Sequence, residues 1–134
     1  INANVAFVCD VCHETTSPAY TASKQGLQVA GKGGVLTIAP AVQNNLLKMV
    51  RDIADKYKIK YQLSASSSQT GTDTDAFAYA GTGTASVLMS FPLKYMHTTV
   101  ETVHKKDINS VRDTMFRFLS ELNVGQMFYY DTNE

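Results

Sequence analysis

A chain of 134 residues, 44% hydrophobic and 18% charged, has the size and composition of one globular domain rather than a disordered segment. Its 12 basic residues balance 12 acidic ones, so no positive surplus points to nucleic acid or to an anionic membrane surface. The longest apolar stretches fall far short of a membrane span. Two cysteines with no Asn-x-Ser/Thr acceptor give no disulfide framework and favour a reducing, cytoplasmic setting.

Val5-Ala6-Phe7-Val8-Cys9 is a short apolar run, which predicts a strand buried on both faces and closing at Asp10. A polar loop then leads to Pro18. A carboxylate at the end of an apolar strand needs a partner, a hydrogen bond or a metal. Ligands of open α/β sheets also gather beyond the carboxyl ends of strands, which makes Asp10 a candidate. Cys9 and Cys12 form a Cys-x-x-Cys pair, but the sequence holds no second cysteine pair to close a zinc site. On a strand, residues three apart point to opposite faces, so Cys9 is expected as a buried apolar residue and Cys12 as incidental.

Two further strands are expected, Leu27-Gln28-Val29 and Val35-Leu36-Thr37-Ile38, separated by Gly31-Lys32-Gly33-Gly34. That loop lacks the phosphate-binding spacing and no helix follows it, so it reads as a turn. From Asn44 to Tyr57, residues Leu46, Val50, Ile53, Ala54 and Tyr57 share one face of a helix. Alternation of Ile59, Tyr61 and Leu63 predicts a strand within residues 58–65.

Beyond a polar Ser66–Gly71 loop, Thr72 is the expected N-cap of a short helix ending near Gly81, with Asp73 and Asp75 in its first turn. Ala85 to Phe91 predicts a second buried strand, opening into a Pro92–Thr99 loop that carries His97. Taken alone, a single loop histidine is an ordinary surface residue, and His104 reads as solvated. Asp107 is expected to cap a long helix with Ile108, Val111, Met115, Phe118, Leu119 and Leu122 on one face, and Phe128-Tyr129-Tyr130 to add a last strand. Strands and helices alternate throughout, which defines the class as α/β, with a mixed, mostly parallel sheet flanked by helices.

Four segments, in order, resemble the M42 metallo-aminopeptidases, the glutamyl or deblocking aminopeptidases sometimes labelled endoglucanases. Asp10-Val11-Cys12-His13-Glu14-Thr15 is similar to the family's Asp-Val-Thr-His-x-Thr, with Cys12 for Thr. Gly31-Lys32-Gly33-Gly34 and Ile38-Ala39-Pro40 resemble its Gly-Lys-Gly-Pro…Gly-Pro stretch, departing at Gly34 and Ala39. Gly71-Thr72-Asp73 matches its Gly-Thr-Asp loop. Ser90 to Glu101 resembles its Ile-Pro-x-Arg-Tyr-x-His-Ser-x-x-Glu segment, with Lys94 where arginine is usual.

The resemblance implies a zinc-peptidase-like catalytic domain working with two divalent metal ions, zinc or cobalt, that share a bridging carboxylate. Asp10 would ligate one metal and His97 the other, while Lys94 and Asp73 would line the substrate side. The implied reaction is hydrolysis of N-terminal residues from peptides, with the metals polarising the scissile carbonyl and a bound water and a glutamate acting as general base. The family's His-x-Asp motif, bridging Asp and Glu-Glu pair do not occur in this sequence. Residues 1–134 are therefore expected to be the C-terminal segment of a single catalytic domain, without its N-terminal half and inserted β-domain. Such a segment should be inactive alone and bind no metal tightly. Peptide substrates, no nucleic acid, no membrane and a homo-oligomer are the expected partners. Two alternatives compete: a catalytically dead α/β binding or assembly module, and a glycoside hydrolase using Asp73 and Glu101 as its carboxylate pair.

Overall fold

A computed structural model describes residues 3–18, 20, 23 and 26–128. Their elements follow in the order β1 (Val5–His13), β2 (Gly34–Ile38), α1 (Asn44–Lys56), β3 (Tyr61–Ala65), α2 (Asp73–Tyr79), β4 (Ala85–Lys94), β5 (Thr102–Val103) and α3 (Lys105–Glu121). One mixed sheet has the strand order β1-β4-β2-β3, with β5 pairing β4. The long pairings are parallel, β1 with β4 from Val5↔Ala85 to His13↔Leu93 and β2 with β3. The antiparallel contacts of β4 with β2 and with β5 are short. The expected fold class is the one observed. Its consequence is directional: β1 and β4 run together, so the residues after His13 and Lys94 leave the sheet at the same end.

The core lies between the sheet and the two long helices. In α1, Leu46, Val50, Ile53 and Ala54 are buried, as the periodicity predicts, and Leu47 is buried as well, while Tyr57, expected on the same face, caps the helix and stays exposed. Gln43 starts α1 by accepting the Leu46 amide at 2.7 Å. Across the sheet, Leu36, Val87 and Met89 are fully or almost fully buried, and the ring centroids of Phe7 and Phe118 lie 5.5 Å apart.

Three local expectations are corrected. β1 does not end at Asp10 and is not buried on both faces. It runs on to His13 as an edge strand, with only Val8 of its nine residues buried and Cys9 exposed. An edge strand lacks one neighbour, which a hydrophobicity pattern cannot reveal.

Residues 27–29 form no strand. Thr15 N–H donates to the Gln28 carbonyl at 2.9 Å, Gln28 N–H to Thr15 Oγ1 at 2.8 Å, and Val29 N–H to Gln62 Oε1 at 2.8 Å. Side-chain acceptors thus take two amides that a ladder would have used.

The third correction concerns α3, which begins after His104 rather than Asp107, with His104 Nδ1 accepting the Lys106 amide at 3.1 Å. Its buried stripe is Asp107, Ser110, Val111, Thr114 and Phe118, whereas Ile108 and Leu119 are 43% and 59% exposed. Ties from Asp107 and Ser110 to the glycine loop turn this polar edge inward. The strand expected at residues 128–130 falls largely outside the described residues. Among those described, no helix is long and apolar enough to cross a membrane.

Candidate functional site

The parallel register of β1 and β4 builds one edge of the site. Asp10 aligns with Ser90 and His13 with Leu93, and the Glu14 amide extends the pairing by donating to the Leu93 carbonyl at 2.9 Å. Asp10 is half-buried, and its Oδ1 accepts the Val11 amide at 2.7 Å. The neighbouring Cys12 thiol is pushed up to about 12, first by burial and then by the charges of Asp107 and Asp10, so it stays a thiol at neutral pH. Burial likewise raises Cys9.

Glu14 is 1% exposed. Its carboxylate accepts the Thr16 amide at 3.0 Å, the Thr16 hydroxyl and the Ser17 hydroxyl at 2.9 Å. Burial works to raise its pKa. Donation from Thr16 and Ser17, together with the Lys94 charge, outweighs that and holds the group below the ordinary glutamate value. Lys94, the last residue of β4, is thus electrostatically coupled to Glu14, a relationship that the motif comparison alone does not express.

His97 stands three residues past β4 on an exposed loop with left-handed backbone at Tyr95 (φ 57°) and His97 (φ 65°). Two contacts hold that loop: the Thr98 hydroxyl donates to the Tyr95 carbonyl at 2.5 Å, and the His97 amide donates to Glu101 Oε1 at 2.5 Å. The His97 ring meets that of His13 edge-on, with centroids 6.2 Å apart. The structure thus brings the loop of His97 to the end of β1, three residues past Asp10.

Asp73 is exposed at the start of α2, whose N-cap Thr72 accepts the Thr74 amide at 3.2 Å. Asp75 closes the preceding loop by accepting the amides of Thr70 and Gly71 at 3.1 and 2.9 Å. Among the described residues no hydrogen bond or ion pair joins Asp73 to Asp10, Lys94, His97 or Glu101. A cavity of about 490 Å³ lies around Gln43, Tyr79, Ala85 and Phe128, at the start of β4, and includes none of these candidates.

A carboxylate and an imidazole are donors that suit divalent metals, so Asp10 and His97 fit as contributors to such a site. They do not close one. Among the described residues no group of three or more His, Cys, Asp or Glu side chains is placed to hold a metal ion. The sequence places Glu14 and His13 inside a motif without giving either a role, and does not mark Tyr20 at all. The first was visible as an acidic residue after a strand, but the His13–Tyr20 pair depends on a loop turning back and left no periodic signal.

A mixed sheet flanked by helices makes the chain an α/β domain. It belongs to the M42 glutamyl aminopeptidase family, whose model matches residues 1–113. A lysyl aminopeptidase of Pyrococcus furiosus is 32% identical over 92 residues, covering 69% of this chain and 27% of that protein. An aminopeptidase from the archaeon Desulfurococcus kamchatkensis superposes with a TM-score of 0.77 at 25% identity, over 89% of this chain and 34% of that one. The TET1 peptidase of Pyrococcus horikoshii, which can assemble into a tetrahedron or a large octahedral shell, gives a TM-score of 0.60 at 27% identity, over 89% and 34%. The chain spans about a quarter to a third of the length of these relatives.

Proposed function

We propose that residues 1–134 form the C-terminal segment of a catalytic domain that releases N-terminal residues from peptides with two divalent metal ions, zinc or cobalt. The carrying observation is that the chain belongs to the M42 family and keeps both motif residues, Asp10 on β1 opposite Ser90 and His97 on the loop that leaves β4 beside the end of β1. In this reading Asp10 holds one metal and His97 the other. Bound metals supply Lewis-acid activation of the scissile carbonyl and of water. Lys94 and Asp73 face the peptide. Glu14, already saturated by Thr16 and Ser17, keeps the loop in place rather than moving a proton.

With two donors, the segment alone is inactive and holds no metal tightly, since a catalytic site needs about three protein ligands. We further propose a cytoplasmic homo-oligomer that engages neither nucleic acid nor membrane. The TET1 relative, which can assemble into a tetrahedron or a large octahedral shell, supports self-association.

The test is zinc and cobalt binding by calorimetry, with hydrolysis of an aminoacyl-anilide, for the chain alone and with the remainder of the catalytic domain supplied. Binding and turnover should appear only with both parts present and vanish in Asp10→Ala or His97→Ala. If both fail with the remainder folded and present, the chain is an inert binding or assembly module. That module reading draws on the missing three-donor group among the described residues.

A further inference from the structure

His13 and Tyr20 are joined twice. The phenol oxygen lies 2.6 Å from His13 Nδ1, and the two rings stack at 4.7 Å between centroids with a 35° tilt. The same imidazole also meets the His97 ring, edge-on at 6.2 Å and 74°. His13, the last residue of β1, thus touches both the Tyr20 ring and the His97 ring.

The two histidines differ in how they are held. His13 is the last residue of β1, its backbone fixed by the ladder opposite Leu93 and its ring half-buried. His97 is exposed, and its contacts to Glu101 and through Thr98 fix backbone rather than ring. An exposed imidazole on a loop turns freely unless something packs against it, and edge-to-face ring pairs within 4.5–7 Å are attractive. Orientation matters for a ligand because its lone pair must point at one place, and groups that orient a ligating histidine change affinity strongly.

We propose that His13, clamped by Tyr20, is a positioning residue: its ring fixes that of His97 and so presents the imidazole in one orientation. This rests on the reading of His97 as a metal-facing residue. Tyr20 acts at one remove, because its hydroxyl stops the His13 ring from turning about its own axis. Neither residue touches the peptide in this account.

The experiment uses the complete catalytic domain carrying this chain, in wild-type form and as His13→Ala, His13→Phe and Tyr20→Phe. Zinc affinity is read by calorimetry, kcat and KM on an aminoacyl-anilide, and the His97 ring protons by NMR of histidine-labelled protein without metal. His13→Ala should weaken zinc binding about 10–100-fold, the range for losing a group that orients a ligand. It should also lower kcat with KM unchanged and shift the His97 ring resonances. Tyr20→Phe should move the same three readouts less, and His13→Phe, which keeps a ring against His97, should recover most of the loss. Unchanged zinc affinity and unchanged His97 resonances in His13→Ala would overturn the proposal. If His13→Ala does not fold, Tyr20→Phe, which removes a single oxygen, decides it by the same readouts. A wild-type domain that binds no zinc and turns over nothing would sink the aminopeptidase reading instead, and the metal-free resonances would still report on the ring contact.

Discussion

The carboxylate of Asp107 accepts the amide of Gly33 at 2.8 Å across 74 residues of sequence, and it accepts the Gly31 amide at 2.7 Å as well. It is fully buried in the first turn of α3, where a negative charge also suits the helix dipole. The glycine-lysine loop is therefore a turn fastened to a helix, and its amides at 31 and 33 are taken by protein rather than offered to a phosphate. Asp107→Ala should destabilise the fold by about 2–5 kcal/mol, since it strands two inward-facing amides. Urea unfolding checks this. A loss under about 1 kcal/mol would mean that water replaces the carboxylate.

Gly33 of this loop and Gly71 of the loop before α2 are both motif glycines, yet their surroundings differ. A β-carbon on Gly33 would stand 2.0 Å from the Lys60 carbonyl oxygen on a backbone with φ of 104°, whereas one on Gly71 meets nothing within 4 Å at φ of 72°. Gly71→Ala should cost about 1–2 kcal/mol, the left-handed penalty alone. Gly33→Ala should cost clearly more, because backbone must move. Equal thermal midpoints for the two variants would contradict this.

Glu14 gives the fold an acid limb. Its carboxylate lies below the ordinary glutamate value when folded, so its contribution to stability is present above that value, about 4.3, and is lost as pH falls through the lower folded pKa. Glu14→Gln should flatten the fall in unfolding free energy on the acid side of pH 4.5 while leaving the neutral-pH slope unchanged. Parallel curves for variant and wild type across the acid range would show that Glu14 does not supply this dependence.

Two phenylalanines on α3 test which face packs. Phe118 is 1% exposed against Phe7, and Phe116 is 63% exposed beside Arg117. Phe118→Ala should destabilise by about 3–5 kcal/mol, whereas Phe116→Ala should stay within about 0.5 kcal/mol. Denaturant midpoints with unchanged slopes are the readout, and a reversed ranking would reject the observed face.

Much of this fold was legible in the residues. Leu46, Val50, Ile53 and Ala54 announce α1 because a 3.6-residue period survives in any buried helix, and Thr72 announces α2 because capping chemistry is local. Where tertiary contacts override local signals, reading fails. Ile108 and Leu119 carry the apolar periodicity of α3, yet the helix buries Asp107 and Ser110 because glycine amides more than 70 positions away need acceptors. Cys9 sits in an apolar run and is nonetheless exposed, since nothing in β1 itself says that it is an edge. At the site, Asp10 stands out already as a carboxylate after an apolar run, whereas His97 stands out only through motif resemblance. His13 stands in the same motif as Asp10, but nothing in the sequence marks Tyr20 as its partner, because their pairing exists only once the loop has closed.

The central claim is that this chain contributes Asp10 and His97 to a metal-dependent aminopeptidase. The most direct measurement is mass-spectrometric sequencing of products from one peptide, with a free or an acetylated N-terminus, incubated with zinc or cobalt and the complete domain carrying wild-type, Asp10→Ala or His97→Ala chain. The account predicts stepwise loss of N-terminal residues from the free peptide by wild type alone, abolished by chelation and by either substitution. Equal trimming by wild type and both variants, or internal cleavage of both peptides, would contradict it.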